Sequence, residues 1–103
     1  MDPGEQLQRL QQAGFEFQTF ERFPQAVGVV RGDVIVLLQA TPEGLRMVGA
    51  PGWRMGEVMG VLLETGGRKV FRYKAQEVEA TAERLAQVRE FREALETALA
   101  APP

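Results

Sequence analysis

The stretch VGAPGWRMGEVMG, Val48 to Gly60, gathers the side chains best suited to hold a ligand. It contains the only tryptophan, Trp53, next to Arg54, with Met55, Glu57 and Met59 close behind. An indole beside a guanidinium can stack a base or another planar group. Further along stand Arg68, Lys69, Arg72, Lys74 and the only tyrosine, Tyr73. Trp53 and Arg54 with this basic segment form a candidate nucleic-acid surface. Trp53 with Glu57 and Tyr73 forms a candidate small-ligand or enzymatic site, if a concave pocket collects them. The competing use of a lone tryptophan is to fill a core or an interface, and that use is the commoner one.

Other chemistries are excluded by what the chain lacks. It has no histidine, no cysteine, no serine and no asparagine. Histidine is the usual acid/base near neutral pH and a common metal ligand. Serine and cysteine are the usual activated nucleophiles. Carboxylate, lysine, tyrosine and threonine chemistry is all that is left. The only aspartates, Asp2 and Asp33, fall at a helix cap and a turn. A protein that is not an enzyme is therefore expected, with no cofactor and no metal.

Charge is uneven along the chain. The formal net charge is −2. Residues 31–74 carry a basic excess, and residues 75–103 an acidic one. Nucleic-acid binders ordinarily show a stronger basic balance. A solvated edge, or attraction between a basic sheet and an acidic helix of the same or a neighbouring copy, is the preferred reading, and nucleic acid the alternative.

The 103 residues suit one domain, 1–103, with a single core. No apolar run approaches the ~20 residues of a membrane span; the longest is Val34–Leu38. The first residues are polar and acidic, unlike a secretory signal. A cytoplasmic protein with no membrane partner is expected. Missing Cys and Asn, with Arg far above Lys, fit a thermophilic source.

The elements follow from pattern. Asp2-Pro3-Gly4-Glu5 reads as a capped helix start, and Gly14 as the residue that closes a helix of about three turns. Phe15 and Phe17 alternate with polar neighbours as in a strand. Phe20 and Phe23 break that register before Pro24. Gly32-Asp33 turns a hairpin that pairs Arg31 with Val34 out to Val27 with Leu38. Thr41-Pro42-Glu43-Gly44 reads as a turn into a strand Leu45–Val48, with a short helix as the alternative. Gly66-Gly67 turns a second hairpin, pairing Thr65 with Arg68 out to Gly60 with Tyr73 and Met59 with Lys74. From Thr81, Leu85, Val88, Phe91, Leu95 and Leu99 recur at helical spacing.

The predicted fold is α+β: an antiparallel sheet of about five strands, built on two β-hairpins, with a short N-terminal helix and a long C-terminal amphipathic helix. The order of helix, three strands, a short middle element, two strands and helix resembles the small secretion-chaperone type of α+β fold. That resemblance implies a fold and no function. The texture of the sequence also resembles uncharacterised small conserved proteins of thermophilic bacteria.

Gly49-Ala50-Pro51-Gly52 has the spacing of a backbone-clamping GxxG loop but no basic residue between its glycines. A type II turn with Pro51 and Gly52 at its centre is expected instead. Val61, Leu63, Val70 and Met59, edged by Arg72, lie on one face of the second hairpin. If both helices cover the other face, these are left over, together with Val27, Val29, Val36 and Leu38. A surplus apolar face marks a partner surface, and a homodimer is the commonest way to bury one. The candidate contacts are thus Trp53, Arg54, Met55, Met59, Val61, Leu63, Val70 and Arg72, toward a second copy or an unidentified protein partner.

Overall fold

A computed structural model describes residues 2–100. Helix α1 spans Pro3–Gln12. The Asp2 side chain accepts a hydrogen bond from the Gly4 N–H at 3.2 Å, capping the helix as expected. Gly14 follows the last turn with φ of 92°. Seven strands succeed it: β1 Glu16–Thr19, β2 Ala26–Arg31, β3 Val34–Thr41, β4 Gly44–Met55, β5 Val58–Thr65, β6 Arg68–Tyr73 and β7 Gln76–Glu79. Helix α2, Ala82–Ala100, closes the order, with the Arg84 N–H donating to Thr81 Oγ1 at its start. The strands form one antiparallel meander in chain order.

The fold is α+β as expected, but the sheet has seven strands rather than about five. One strand, β7, has no counterpart in the sequence reading, and β4 is longer than expected. β4 absorbs the strand expected over Leu45–Val48 and continues to Met55. β7 is short and contains a single apolar residue, Val78, so it shows no alternation to read.

Two-residue loops join every neighbouring pair from β2 to β7: Gly32-Asp33, Pro42-Glu43, Gly56-Glu57, Gly66-Gly67 and Lys74-Ala75. Lys74 has φ of 54°, the one non-glycine residue in the left-handed region among the described residues. A side chain there costs about 1–2 kcal/mol, and a glycine's greater freedom when unfolded offsets about 0.4–1 kcal/mol of the relief. Lys74→Gly is therefore expected to stabilise the protein by up to about 1.6 kcal/mol, seen as a rise in the thermal midpoint. A lower midpoint would show that the Lys74 ammonium, 5.4 Å from the Tyr73 ring centroid, already outweighs the strain.

The first hairpin has the expected register throughout. The second keeps it from Thr65↔Arg68 to Val61↔Arg72 and no further. The expected Gly60–Tyr73 and Met59–Lys74 pairs are not formed; over this stretch β5 pairs through its other edge with β4, Gly60 with Trp53 and Met59 with Arg54. β5 changes partner between Gly60 and Val61.

β4 is irregular in the same region. Its register with β3 shifts between Ile35 and Leu37, where Gly49, Ala50 and Pro51 stand opposite Val36 alone. Gly49 takes φ of 75°, and Pro51, which has no N–H to lose, fits a bulge. The expected Pro51-Gly52 turn is thus a bulge inside a strand. Gly52 is not left-handed. Its lack of a side chain provides clearance, because a Cβ there would overlap the Gly60 carbonyl oxygen. Beyond the bulge, Trp53 pairs with Val34 of β3 on one edge and with Gly60 of β5 on the other, and β4 meets β5 only over Trp53 to Met55.

Both helices lie on one face. Leu10, Phe15, Trp53, Phe71, Phe91 and Leu95 form the core there with Val29, Val36 and Leu38, and Val27 packs against it. These four residues, expected among the surplus apolar set, are covered. Gln6 is buried in α1, and both its amide nitrogen and its amide oxygen are hydrogen-bonded. Its Nε2 donates to the Leu99 carbonyl at 3.3 Å, and its Oε1 accepts from the Leu45 N–H at 2.7 Å, tying α1 to α2 and β4.

Candidate functional site

The sheet curls, and Gln18 Nε2 donates to the Glu57 carbonyl at 3.1 Å across the curl. This leaves a half-open groove of about 910 Å³. Phe20 and Phe23, from the loop joining β1 and β2, line one side; Arg54, Met59 and Val61 line the other. Strand alternation explains the second wall. Arg54 and Met59 are cross-strand partners, so they point to the same face. Trp53, one residue earlier, must point to the opposite face.

Trp53 is 9% exposed and belongs to the helix-side core. Its ring stacks on Phe71 with centroids 5.5 Å apart and planes 26° from parallel. The Arg84 guanidinium lies 5.7 Å from the indole. The structure therefore does not assemble Trp53 and Arg54 into one stacking platform. Glu57 and Tyr73 do line the groove, but without Trp53.

Arg72 is committed locally. Its guanidinium donates to Glu77 Oε1, at 2.8 Å from Nε, and the two form an ion pair. The hydrogen bond from Arg72 holds the Glu77 carboxyl below its ordinary pKa, and the charges of Arg72 and Arg68 act the same way. Arg54 makes no ion pair among the described residues.

The other candidates separate by environment. Met55 lies over Gly60 on the core side, its Cε 2.7 Å from where a Gly60 Cβ would stand. Val70 is 2% exposed. Val61 is 51% exposed and Leu63 40%. So Arg54, Met59 and Val61 come together in the groove, Leu63 follows along β5, and Trp53, Met55 and Val70 are packed away.

Three residues escaped the sequence reading as surface features. Phe20 and Phe23 sit in a loop, where two aromatic side chains so close together are themselves a signal. Leu62 is 39% exposed although its cross-strand partner Phe71 is fully buried. Phe71 is enclosed by the core cluster and stacked on Trp53, whereas Leu62 on the neighbouring strand is not part of that cluster. Three consecutive exposed apolar residues result: Val61, Leu62 and Leu63.

No protein-family model, no curated protein and no solved structure matches the chain. The geometry alone defines the class: an α+β protein with a curled seven-stranded antiparallel meander, two helices on one face and an exposed apolar strand segment. No helix among the described residues is long and apolar enough to cross a membrane.

Proposed function

We propose that the protein is a small non-enzymatic interaction module of the cytoplasm that forms a homodimer. The observation that carries this reading is the exposed run Val61-Leu62-Leu63, at 51%, 39% and 40%. Apolar residues scattered singly over a surface need no explanation, but a contiguous patch marks a partner site. A two-fold dimer lets one patch serve both partners. The nucleic-acid alternative has less support, since Trp53 is in the core and Arg72 is already paired with Glu77.

Sedimentation decides the matter. The wild type is expected to run as a dimer at micromolar concentration, and Val61→Asp or Leu63→Asp as a monomer of unchanged helix and strand content. A wild type that stays monomeric up to about 1 mM, the edge of weak association, would overturn the reading.

A further inference from the structure

We propose that two copies join by strand addition, β5 against β5, antiparallel and centred on Leu63. This rests on the dimer reading above and specifies how the dimer forms. The starting observation is that β5 is only half paired on one side. Its register with β4 ends at Gly60, whereas its register with β6 runs from Val61 to Thr65. From Val61 to Thr65, β5 therefore has a bonded edge toward β6 and a free edge toward β4.

The two hairpins fix which backbone groups point outward. In a two-residue hairpin the residues flanking the loop exchange hydrogen bonds, and bonded and non-bonded pairs then alternate. Counting from Thr65↔Arg68, the residues bonded to β6 are Thr65, Leu63 and Val61. Counting from Met55↔Val58, the residues bonded to β4 are Val58 and Gly60. Both counts give the same parity. Leu62 and Glu64 therefore turn their N–H and C=O toward the free edge, where the register with β4 has ended.

Other edges are blunted, and this one is not. Across the seam, the outward Leu45 N–H of β4 is taken by Gln6 Oε1, and the bulge at Gly49–Pro51 removes a regular ladder. β7 is four residues long with two glutamates, and β1 is four residues long with one. Short strands, charges and bulges are the devices that discourage edge pairing. β5 carries no charge from Val58 to Leu63, and Val61 to Leu63 are exposed on both faces. An edge of this kind is a template for another strand.

The occupant and the register follow from the same residues. The free segment is Val61–Thr65, and its centre is Leu63. A two-fold axis there places Leu63 opposite Leu63 of the second copy, Leu62 opposite Glu64, and Val61 opposite Thr65. Leu62 and Glu64 are the residues with outward backbone groups, so they form the bonded pairs. Shifting the axis to Leu62 would require the edge of Gly60, which Trp53 occupies. Shifting it to Glu64 would set two carboxylates directly opposite, which is unfavourable. Each Glu64 stands cross-strand from Lys69 within its own chain. Five residues a side make a small interface, so a micromolar dimer is expected rather than a tighter one.

The test uses the absence of any native cysteine. A non-bonded antiparallel pair has Cα atoms about 4.5 Å apart, within the range a disulfide spans. Leu63→Cys is expected to oxidise to a covalent dimer at least about tenfold faster than Val48→Cys, an exposed control on β4. In the wild type, the Leu62 and Glu64 amides are expected to exchange with deuterium at least about tenfold more slowly at millimolar than at low micromolar concentration. A dimer in which Leu63→Cys is no faster than the control and those amides gain no protection would overturn strand addition while leaving the dimer reading intact. A wild type monomeric throughout would overturn both. If Leu63→Cys fails to fold, the wild-type exchange measurement decides alone.

Discussion

Gly52→Ala is expected to destabilise the protein by about 3 kcal/mol, the upper end of the usual range for forcing extra atoms into a packed site. The reason is the nature of the obstacle. A Cβ at Gly52 would overlap the carbonyl oxygen of Gly60 on β5, with the Gly60 carbonyl carbon and Met59 Cγ next at 3.3 Å. Backbone cannot rotate away as a side-chain tip can. Relief requires β4 and β5 to separate where Trp53 pairs with Gly60. At roughly 4 °C or more per kcal/mol for a domain of this size, the thermal midpoint should fall by at least about 12 °C. Gly49→Ala is the matched control. Its φ of 75° disfavours a side chain, but nothing lies within 4 Å of the added Cβ. That variant should lose only the backbone cost, about 1–2 kcal/mol. Equal losses in the two variants would contradict the close approach of β4 to β5.

This crossing also marks where the sequence stops being legible. The two hairpins could be read because their information is local. Gly32-Asp33 and Gly66-Gly67 set the loops, and the flanking apolar residues fix the register outward. That logic holds as far as Val61↔Arg72. It ends at Gly60, where β5 leaves β6 and pairs through its other edge with β4, a contact that the hairpin's local pattern does not carry. Pro51-Gly52 reads as a turn for a related reason: the dipeptide suits a turn and a bulge equally well, and only pairing with Ile35 distinguishes them. The same holds for the candidate site. Trp53 and Arg54 are neighbours in sequence, and alternation alone says that they face apart. Which of them faces the helices depends on Val34↔Trp53, a contact that local pattern does not carry. Gln6 shows the limit most simply. A glutamine on a helix reads as surface, yet this one is buried because its amide meets both Leu99 and Leu45.

Phe71→Ala is expected to cost about 3–5 kcal/mol, the range for a buried phenylalanine. Against a total stability of about 5–15 kcal/mol, that is a large share of what keeps the protein folded. Phe71 is fully buried, stacks on Trp53 and stands against Gly60, whose missing side chain makes room for its Cβ at 3.3 Å. Truncation removes the ring that shields the indole, so Trp53 emission should shift to the red in whatever fraction stays folded. Phe71→Leu should retain most of the lost stability by keeping the volume filled. Leu63→Ala supplies the contrast. It removes a comparable apolar side chain from the same hairpin, but from an exposed site. Its effect on the dilute monomer should stay within about 0.5 kcal/mol. The two substitutions thus separate what holds the chain together from what is free to hold another chain. If Leu63→Ala destabilised the dilute monomer as strongly as Phe71→Ala, the exposed strand segment would belong to the core of a single chain, and the case for β5 as a docking edge would be lost.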